Sequence, residues 1–133
     1  MPAMKKGYKA LLDEANAGIE AVTPTEAADL ARNDDVLLVD IRDVRELQRE
    51  GKIPGAIHAP RGMLEFWVDP ESPYHKEVFA SGKTFIFFCA GGLRSALATK
   101  TVQDMGLAPV KHIEGGFGAW REAGLPVETV PTK

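Results

Sequence analysis

The chain has 133 residues, of which 44% are apolar and 26% are charged, and its formal net charge is −3. This profile is typical of one globular domain with a single core, and it lacks the basic surface that nucleic acids or anionic membranes attract. Because the lone cysteine cannot form an internal disulfide, nothing in the chain requires an oxidising compartment, and we expect a cytoplasmic protein.

The first predicted element is an amphipathic helix over residues 5–18. Acidic residues interrupt this segment, so it does not have the apolar length of a targeting signal. We predict a helical extension over residues 1–18 that packs on a main domain over 19–133, as a packing element or as a dimer contact. Its apolar residues lie at helical spacing: Tyr8, Leu11, Leu12, Ala15 and Ile19.

Two further helices begin with capping signatures. Thr23 is followed by Pro24 and then by Glu26, which together predict a capping box with proline in the first turn. Asp43 and Glu46 repeat the same spacing at the start of the next helix, so we assign Glu46 to the helix cap.

Short apolar strands alternate with these helices along the chain. The predicted strands are VLLVD at 36–40, a short strand near 56–58, TFIFF at 84–88 and PVKHI at 109–113. Continuous apolar runs of this length are typical of strands buried on both faces. The alternation predicts an α/β fold with a central parallel β-sheet and helices on both faces.

The only cysteine lies where the strand at 84–88 ends, in the segment CAGGLRS at 89–95. Ligands of parallel sheets bind at such strand ends, and we predict that the next helix begins near Ser95. The glycines allow backbone N–H groups to turn inward, and the helix start adds donors, so we expect an anion cradle that favours a Cys89 thiolate. A small buried core residue is the alternative for Cys89. The loop residues expected to bind substrate are Ala90, Gly91, Gly92, Leu93, Arg94 and Ser95.

The segment CAGGLRS resembles the active-site loop of the rhodanese sulfurtransferases. Other segments are similar to further motifs of that family, in the family's order: VDIRDVRE at 39–46, GKIPGAIHAP at 51–60 and IEGGFGAWREAGLPV at 113–127. The resemblance spans about residues 19–127, which makes it far more specific than any one motif. It implies a single-domain rhodanese built on a central parallel sheet.

The resemblance also implies a sulfurtransferase that uses no cofactor. The Cys89 thiolate would attack the sulfane sulfur of a donor such as thiosulfate, release sulfite and remain as a persulfide. Cyanide, a thiol or a protein cysteine would then accept the sulfur in a ping-pong reaction. The amides that favour the thiolate would hold the anionic persulfide as well.

Supporting roles are expected for several residues near this loop. Arg94 is expected to attract the anionic donor or to brace the loop. Asp40 and Arg42 end a neighbouring strand at the same sheet edge, where we expect an ion pair that shapes the floor of the crevice. In the long connection 61–82, Phe66 or Trp67 is expected to form an apolar wall over the pocket, with core packing as the alternative.

Other residues are assigned no chemistry. The histidines His58, His75 and His112 have no metal-ligand spacing with one another or with Cys89, so no metal site is expected. His58 is interpreted as a hydrogen-bonded strand residue. Lys52 stands where the family's segment usually has histidine, which leaves that supporting role in doubt.

Two other functions remain open at this stage. A sulfur carrier, or interaction module, would also need Cys89, but it would load from a partner protein rather than from a small donor. Related phosphatases and arsenate reductases use Cys-x5-Arg, whereas four residues separate Cys89 from Arg94. The shorter loop favours a single sulfur over a tetrahedral phosphate.

Overall fold

A parallel sheet forms the centre of the molecule, as the sequence predicts. The computed structural model describes residues 4–131, and within them the strands are β1 Glu20–Val22, β2 Val36–Asp40, β3 Ile57–His58, β4 Thr84–Phe88 and β5 Val110–Ile113. They are ordered β1-β5-β4-β2-β3, and each pairing is parallel. In the register of the central strands, Asp40 lies beside Phe88. The ends of β2 and β4 therefore meet at one sheet edge.

Helices cover both faces of the sheet. The helices of residues 4–131 are α1 Tyr8–Gly18, α2 Pro24–Leu30, α3 Val44–Glu50, α4 Leu64–Val68, α5 Leu93–Asp104 and α6 Gly116–Glu122, with 3-10 turns at Arg61–Met63 and Glu77–Ala80. One core cluster contains side chains of α4 and α5, and the other contains side chains of α2 and α6. This confirms the predicted α/β class with helices on both faces.

Strand β4 divides its side chains between these two clusters. Phe85 and Phe87 pack on the α4–α5 side, whereas Ile86 and Phe88 pack on the α2–α6 side. Successive strand residues point to opposite faces of a sheet. Cys89 continues this alternation into the α4–α5 cluster.

The N-terminal helix is shorter than predicted and buries less of its apolar face. It begins at Tyr8, after an uncapped Gly7, because glycine loses much backbone entropy in a helix. Helix α1 packs on α5, and Ala15 is 1% exposed. Leu12 and Ile19 are partly buried, but Tyr8 and Leu11 remain exposed.

The two predicted capping boxes are both present, at Thr23 with Glu26 and at Asp43 with Glu46. The connection 61–82 contains short helices, α4 among them. The predicted boundaries at residues 1 and 133 lie outside the described residues. Between residues 4 and 131, no helix is both long enough and apolar enough to cross a membrane.

Candidate active site

The sulfur of Cys89 receives two main-chain hydrogen bonds from the loop that follows β4. The N–H of Gly92 donates to Sγ over 3.2 Å, and the N–H of Ser95 donates over 3.3 Å. Helix α5 begins at Leu93, two residues earlier than predicted, because Gly92 in a left-handed conformation serves as its N-cap. Both N–H groups lie at the helix start, where no carbonyl of the helix can accept from them, so they are available to an anionic sulfur.

The side chain of Cys89 is covered rather than open to a crevice. The residue is 1% exposed, since its position in the β4 alternation directs it into the α4–α5 cluster. Burial alone is what a small core residue would show. The burial is not purely apolar, because two N–H groups point at the sulfur.

The start of α6 determines the path of the loop. The N–H of Phe117 donates to the carbonyl of Cys89 over 2.8 Å, and the N–H of Gly118 donates to that of Ala90 over 3.0 Å. Gly116 makes this approach possible, since its φ is +61° and an added Cβ would lie 2.4 Å from the Cys89 carbonyl oxygen. With these carbonyls held by α6, the following N–H groups turn toward the sulfur.

Arg94 does not extend freely toward solvent but forms a two-point ion pair with Glu46. Its Nη1 and Nη2 atoms lie 2.9 and 3.0 Å from the two carboxylate oxygens. This pair lowers the pKa of Glu46 to about 2 and raises the pKa of Arg94, to which the nearby Cys89 sulfur adds a smaller effect. Glu46 also accepts the Asp43 N–H over 2.9 Å, so it caps α3 and braces the loop at once.

We expect Glu46→Gln to reduce stability at neutral pH and to reduce it less in acid. A carboxyl whose pKa is lowered from 4.5 to about 2 contributes stability above about pH 4.5 that is lost as the pH falls toward 2. Glutamine retains the capping acceptor, so the difference in unfolding free energy between the two proteins reports the ion pair. We expect about 1 kcal/mol, as for a partly exposed pair.

Urea unfolding of both proteins at about pH 7 and about pH 3 measures this difference. Glu65→Gln is the matched control, because it breaks an exposed pair with Arg61 one helical turn away and should change stability by less than about 0.5 kcal/mol. A Glu46→Gln deficit that stays constant across the pH range would contradict the assignment.

Asp40 and Arg42 form the predicted ion pair, and it is fully buried. Arg42 Nη2 lies 2.7 Å from Asp40 Oδ2 and also donates to the Gly51 carbonyl over 2.9 Å. The guanidinium stacks over the Phe117 ring at 4.1 Å. The pair thus links β2 to α6, the helix that holds the Cys89 and Ala90 carbonyls.

One hydrogen-bonded partner of the loop is not indicated by the sequence pattern. Ser95 Oγ lies 3.6 Å from Cys89 Sγ and 3.0 Å from His112 Nδ1. His112 is on β5, 17 residues from Ser95, and it was considered only as a metal ligand. Its position in a strand adjacent to β4 was the signal that could have placed it near the sulfur.

A hollow of about 340 Å³ lies beside the loop and is lined by Gly91, Gly92, Leu93, His112 and Glu114, among others. Phe66 and Trp67 do not line this hollow. Phe66 is 51% exposed with its ring against Tyr74, and Trp67 packs against the α4–α5 cluster. Their role as a pocket wall stays a prediction without support from this geometry.

Three further residues have structural contacts. His58 Nε2 donates to the Arg42 carbonyl over 2.6 Å, as expected of a hydrogen-bonded strand residue. Lys52 pairs through its backbone with Glu128, so it holds the C-terminal segment. Trp120 is 3% exposed and belongs to the core.

Fold and loop together define a class: a parallel α/β domain with a cysteine in an amide-lined loop at the carboxyl edge of its sheet. The family model described as a rhodanese-like domain matches residues 23–123. The chain belongs to this family, whose relatives include proteins named as sulfurtransferases.

Two relatives illustrate the range of similarity. A sulfurtransferase from Allochromatium vinosum is 34% identical over 98 residues, covering 74% of this chain and 83% of the relative. Thiosulfate sulfurtransferase/rhodanese-like domain-containing protein 3 from Mus musculus is 29% identical over 106 residues, covering 76% of this chain and 68% of its own length.

Solved structures extend the likeness to more than nine-tenths of the chain. A protein of unknown function from Rhodopseudomonas palustris, described as a possible tyrosine phosphatase, is 61% identical with a TM-score of 0.92, covering 96% of this chain and 99% of that one. The polysulfide-sulfur transferase homodimer from Wolinella succinogenes is 33% identical with a TM-score of 0.71, covering 92% of this chain and 88% of that one.

Proposed function

We propose that this protein transfers sulfane sulfur through a persulfide on Cys89. The observation that carries the proposal is the pair of N–H groups, from Gly92 and Ser95, that donate to Sγ. Main-chain donors held by the fold stabilise an anion without reorganising during the reaction. The same cradle therefore suits both the attacking thiolate and the anionic persulfide that replaces it.

The reaction has two balanced halves. In the first, the Cys89 thiolate forms a bond to the outer sulfur of thiosulfate, and the sulfur–sulfur bond of the donor breaks as sulfite leaves with the electron pair. In the second, a cyanide or thiol nucleophile attacks the outer persulfide sulfur, and Cys89 leaves as thiolate. Because Cys89 is 1% exposed, we expect the loop to move when a donor enters.

The remaining loop contacts fit this role. Arg94 supplies positive charge near the sulfur while Glu46 holds its guanidinium in place, so an anionic donor is attracted to a braced loop. Asp40 and Arg42 support the loop through α6. The relatives named as sulfurtransferases and as a polysulfide-sulfur transferase support the reaction class, with thiosulfate or another persulfide-forming compound as donor.

The test is a mass measurement on the intact protein. Incubation with thiosulfate should add the mass of one sulfur atom, and peptide mapping should locate it on Cys89. Cyanide or dithiothreitol should then remove it. If thiosulfate and inorganic polysulfide both leave the mass unchanged while the thiol remains reduced, the proposal is wrong.

A phosphatase assay provides the contrasting outcome. The loop has four residues between Cys89 and Arg94, which favours a sulfur over a phosphate. We therefore expect no phosphate release from an aryl phosphate. Turnover of that substrate without sulfur loading would favour the activity suggested for the Rhodopseudomonas palustris protein.

A further inference from the structure

His112 lies at the end of a continuous hydrogen-bonded chain that starts at the nucleophile. The Cys89 sulfur is 3.6 Å from Ser95 Oγ, and that oxygen is 3.0 Å from His112 Nδ1. His112 is only 4% exposed, and Ser95 is fully buried. The hydroxyl of Ser95 is both a donor and an acceptor, so it can link the thiol to the imidazole in either proton arrangement.

The other ring nitrogen of His112 provides an outlet to solvent. Among residues 4–131, Nε2 has no hydrogen-bond partner. It is also not one of the fully buried side-chain atoms that lack a partner there, which are Arg42 Nη1 and Thr99 Oγ1. Nε2 is therefore the ring nitrogen left free to face the hollow. His112 lines the hollow beside Gly91, Gly92 and Glu114, and that hollow of about 340 Å³ is large enough for several water molecules at about 30 Å³ each.

We propose that His112 is the positioning residue for Cys89, and that it acts through Ser95 to take the thiol proton to solvent. This inference rests on the proposed function, since it explains how a covered thiol becomes a thiolate. These hydrogen bonds would make the proton transfer possible without direct contact between the thiol and water.

The proton transfer balances without any other reactant. The thiol proton passes to Ser95 Oγ, the former hydroxyl proton passes to His112 Nδ1, and the Nε2 proton leaves to water in the hollow. The imidazole is neutral before and after, and it ends with its proton on Nδ1. In that arrangement His112 donates to Ser95 and Ser95 donates to the thiolate, which adds a third donor to the two N–H groups.

The charges around His112 are consistent with a neutral ring. Burial lowers the pKa of His112, and Glu114 at the hollow opposes this effect. A neutral imidazole has the free lone pair that accepting a proton requires. Charged residues of neighbouring elements are paired, Glu20 of β1 with Lys111 and Arg94 of α5 with Glu46. Asn16 of α1 also lines the hollow.

Alkylation of Cys89 by iodoacetamide tests this role without any sulfur donor. We expect the rate at about pH 7 to fall about tenfold in Ser95→Ala and in His112→Leu, as for loss of a hydrogen bond to a charged group. The variant that combines Ser95→Ala with His112→Leu should match the rate of Ser95→Ala within about twofold, because His112 acts only through Ser95. His112→Asn should alkylate at a rate between those of the parent and His112→Leu, because its side-chain N–H can donate to Ser95 but cannot accept the proton that passes to Nδ1.

The control is His75→Asn, because His75 is part-buried and bonds the Trp67 carbonyl instead of the loop. It should alkylate at the parent rate. Alkylation of His112→Leu at the parent rate would overturn the proposal. So would a double variant whose rate reduction equals the product of the two single reductions. Failure of sulfur loading with this pattern intact would instead count against the proposed function alone.

A second measurement uses the unsubstituted protein, in case His112→Leu does not fold. Nitrogen-15 NMR of labelled histidine should show the His112 proton on Nδ1 when Cys89 is a thiolate. Alkylation of Cys89 removes the charge that orients Ser95, so the fraction of this tautomer should fall. A proton held on Nε2 in the thiolate form would overturn the proposal.

Discussion

Replacing Cys89 with serine should abolish sulfur transfer while the fold is retained. A hydroxyl is a far weaker nucleophile than a thiolate at neutral pH, and oxygen cannot form the sulfur–sulfur bond of a persulfide. We expect sulfite release from thiosulfate in the presence of cyanide to fall by about 10³-fold or more, as for loss of a catalytic nucleophile.

The geometry predicts that this variant folds. The serine oxygen would lie near the N–H groups of Gly92 and Ser95, which now donate to sulfur, so its burial leaves no polar group unpaired. The change in unfolding free energy should be about 1 kcal/mol. Sulfur loading in a folded Cys89→Ser protein would remove Cys89 from the mechanism, since the chain contains no other cysteine.

The second large effect is expected from Gly116→Ala, which should displace the active-site loop. The new Cβ would lie 2.4 Å from the Cys89 carbonyl oxygen and 2.9 Å from Ala90 backbone atoms, at a φ of +61°. A left-handed alanine costs about 1–2 kcal/mol, and overpacking adds about 1–3 kcal/mol. We expect a total loss of about 3 kcal/mol, together with much slower alkylation of Cys89.

Gly124→Ala separates the cost of a left-handed alanine from the cost of overpacking. Gly124 also has a positive φ, +76°, but an added Cβ meets nothing within 4 Å. This variant should lose only about 1 kcal/mol and should alkylate normally. Equal losses in the two variants, measured by urea unfolding, would show that contact with the loop carbonyls is unimportant.

Much of the molecule could be predicted from local sequence patterns. The capping boxes at Thr23 and Asp43 need only residues three positions apart, and strand β4 is predicted by one apolar run. The position of Cys89 between that run and two glycines indicates a loop with inward N–H groups. These features depend on neighbours in the chain, so the sequence alone was enough to predict them.

Two features of the site show where local patterns stop. Arg94 was expected to attract the donor or to brace the loop, but its partner Glu46, 48 residues earlier, could not be identified from the sequence. A pattern that explains Glu46 as a helix cap contains no information on a second partner. Whether Cys89 is covered was also left open, because exposure depends on the elements that pack over a strand end and not on the residues that flank it.

The amino-acid order by itself determined the element types, the α/β class and the place of the nucleophile, because hydrophobic period, caps and glycines act over a few residues. Only the tertiary structure decided that Glu46 braces Arg94, that Gly116 supports the Cys89 carbonyl, and that His112 reaches the sulfur through Ser95. These contacts join residues distant in the chain, and the order β1-β5-β4-β2-β3 is what brings their strands and helices to one sheet edge.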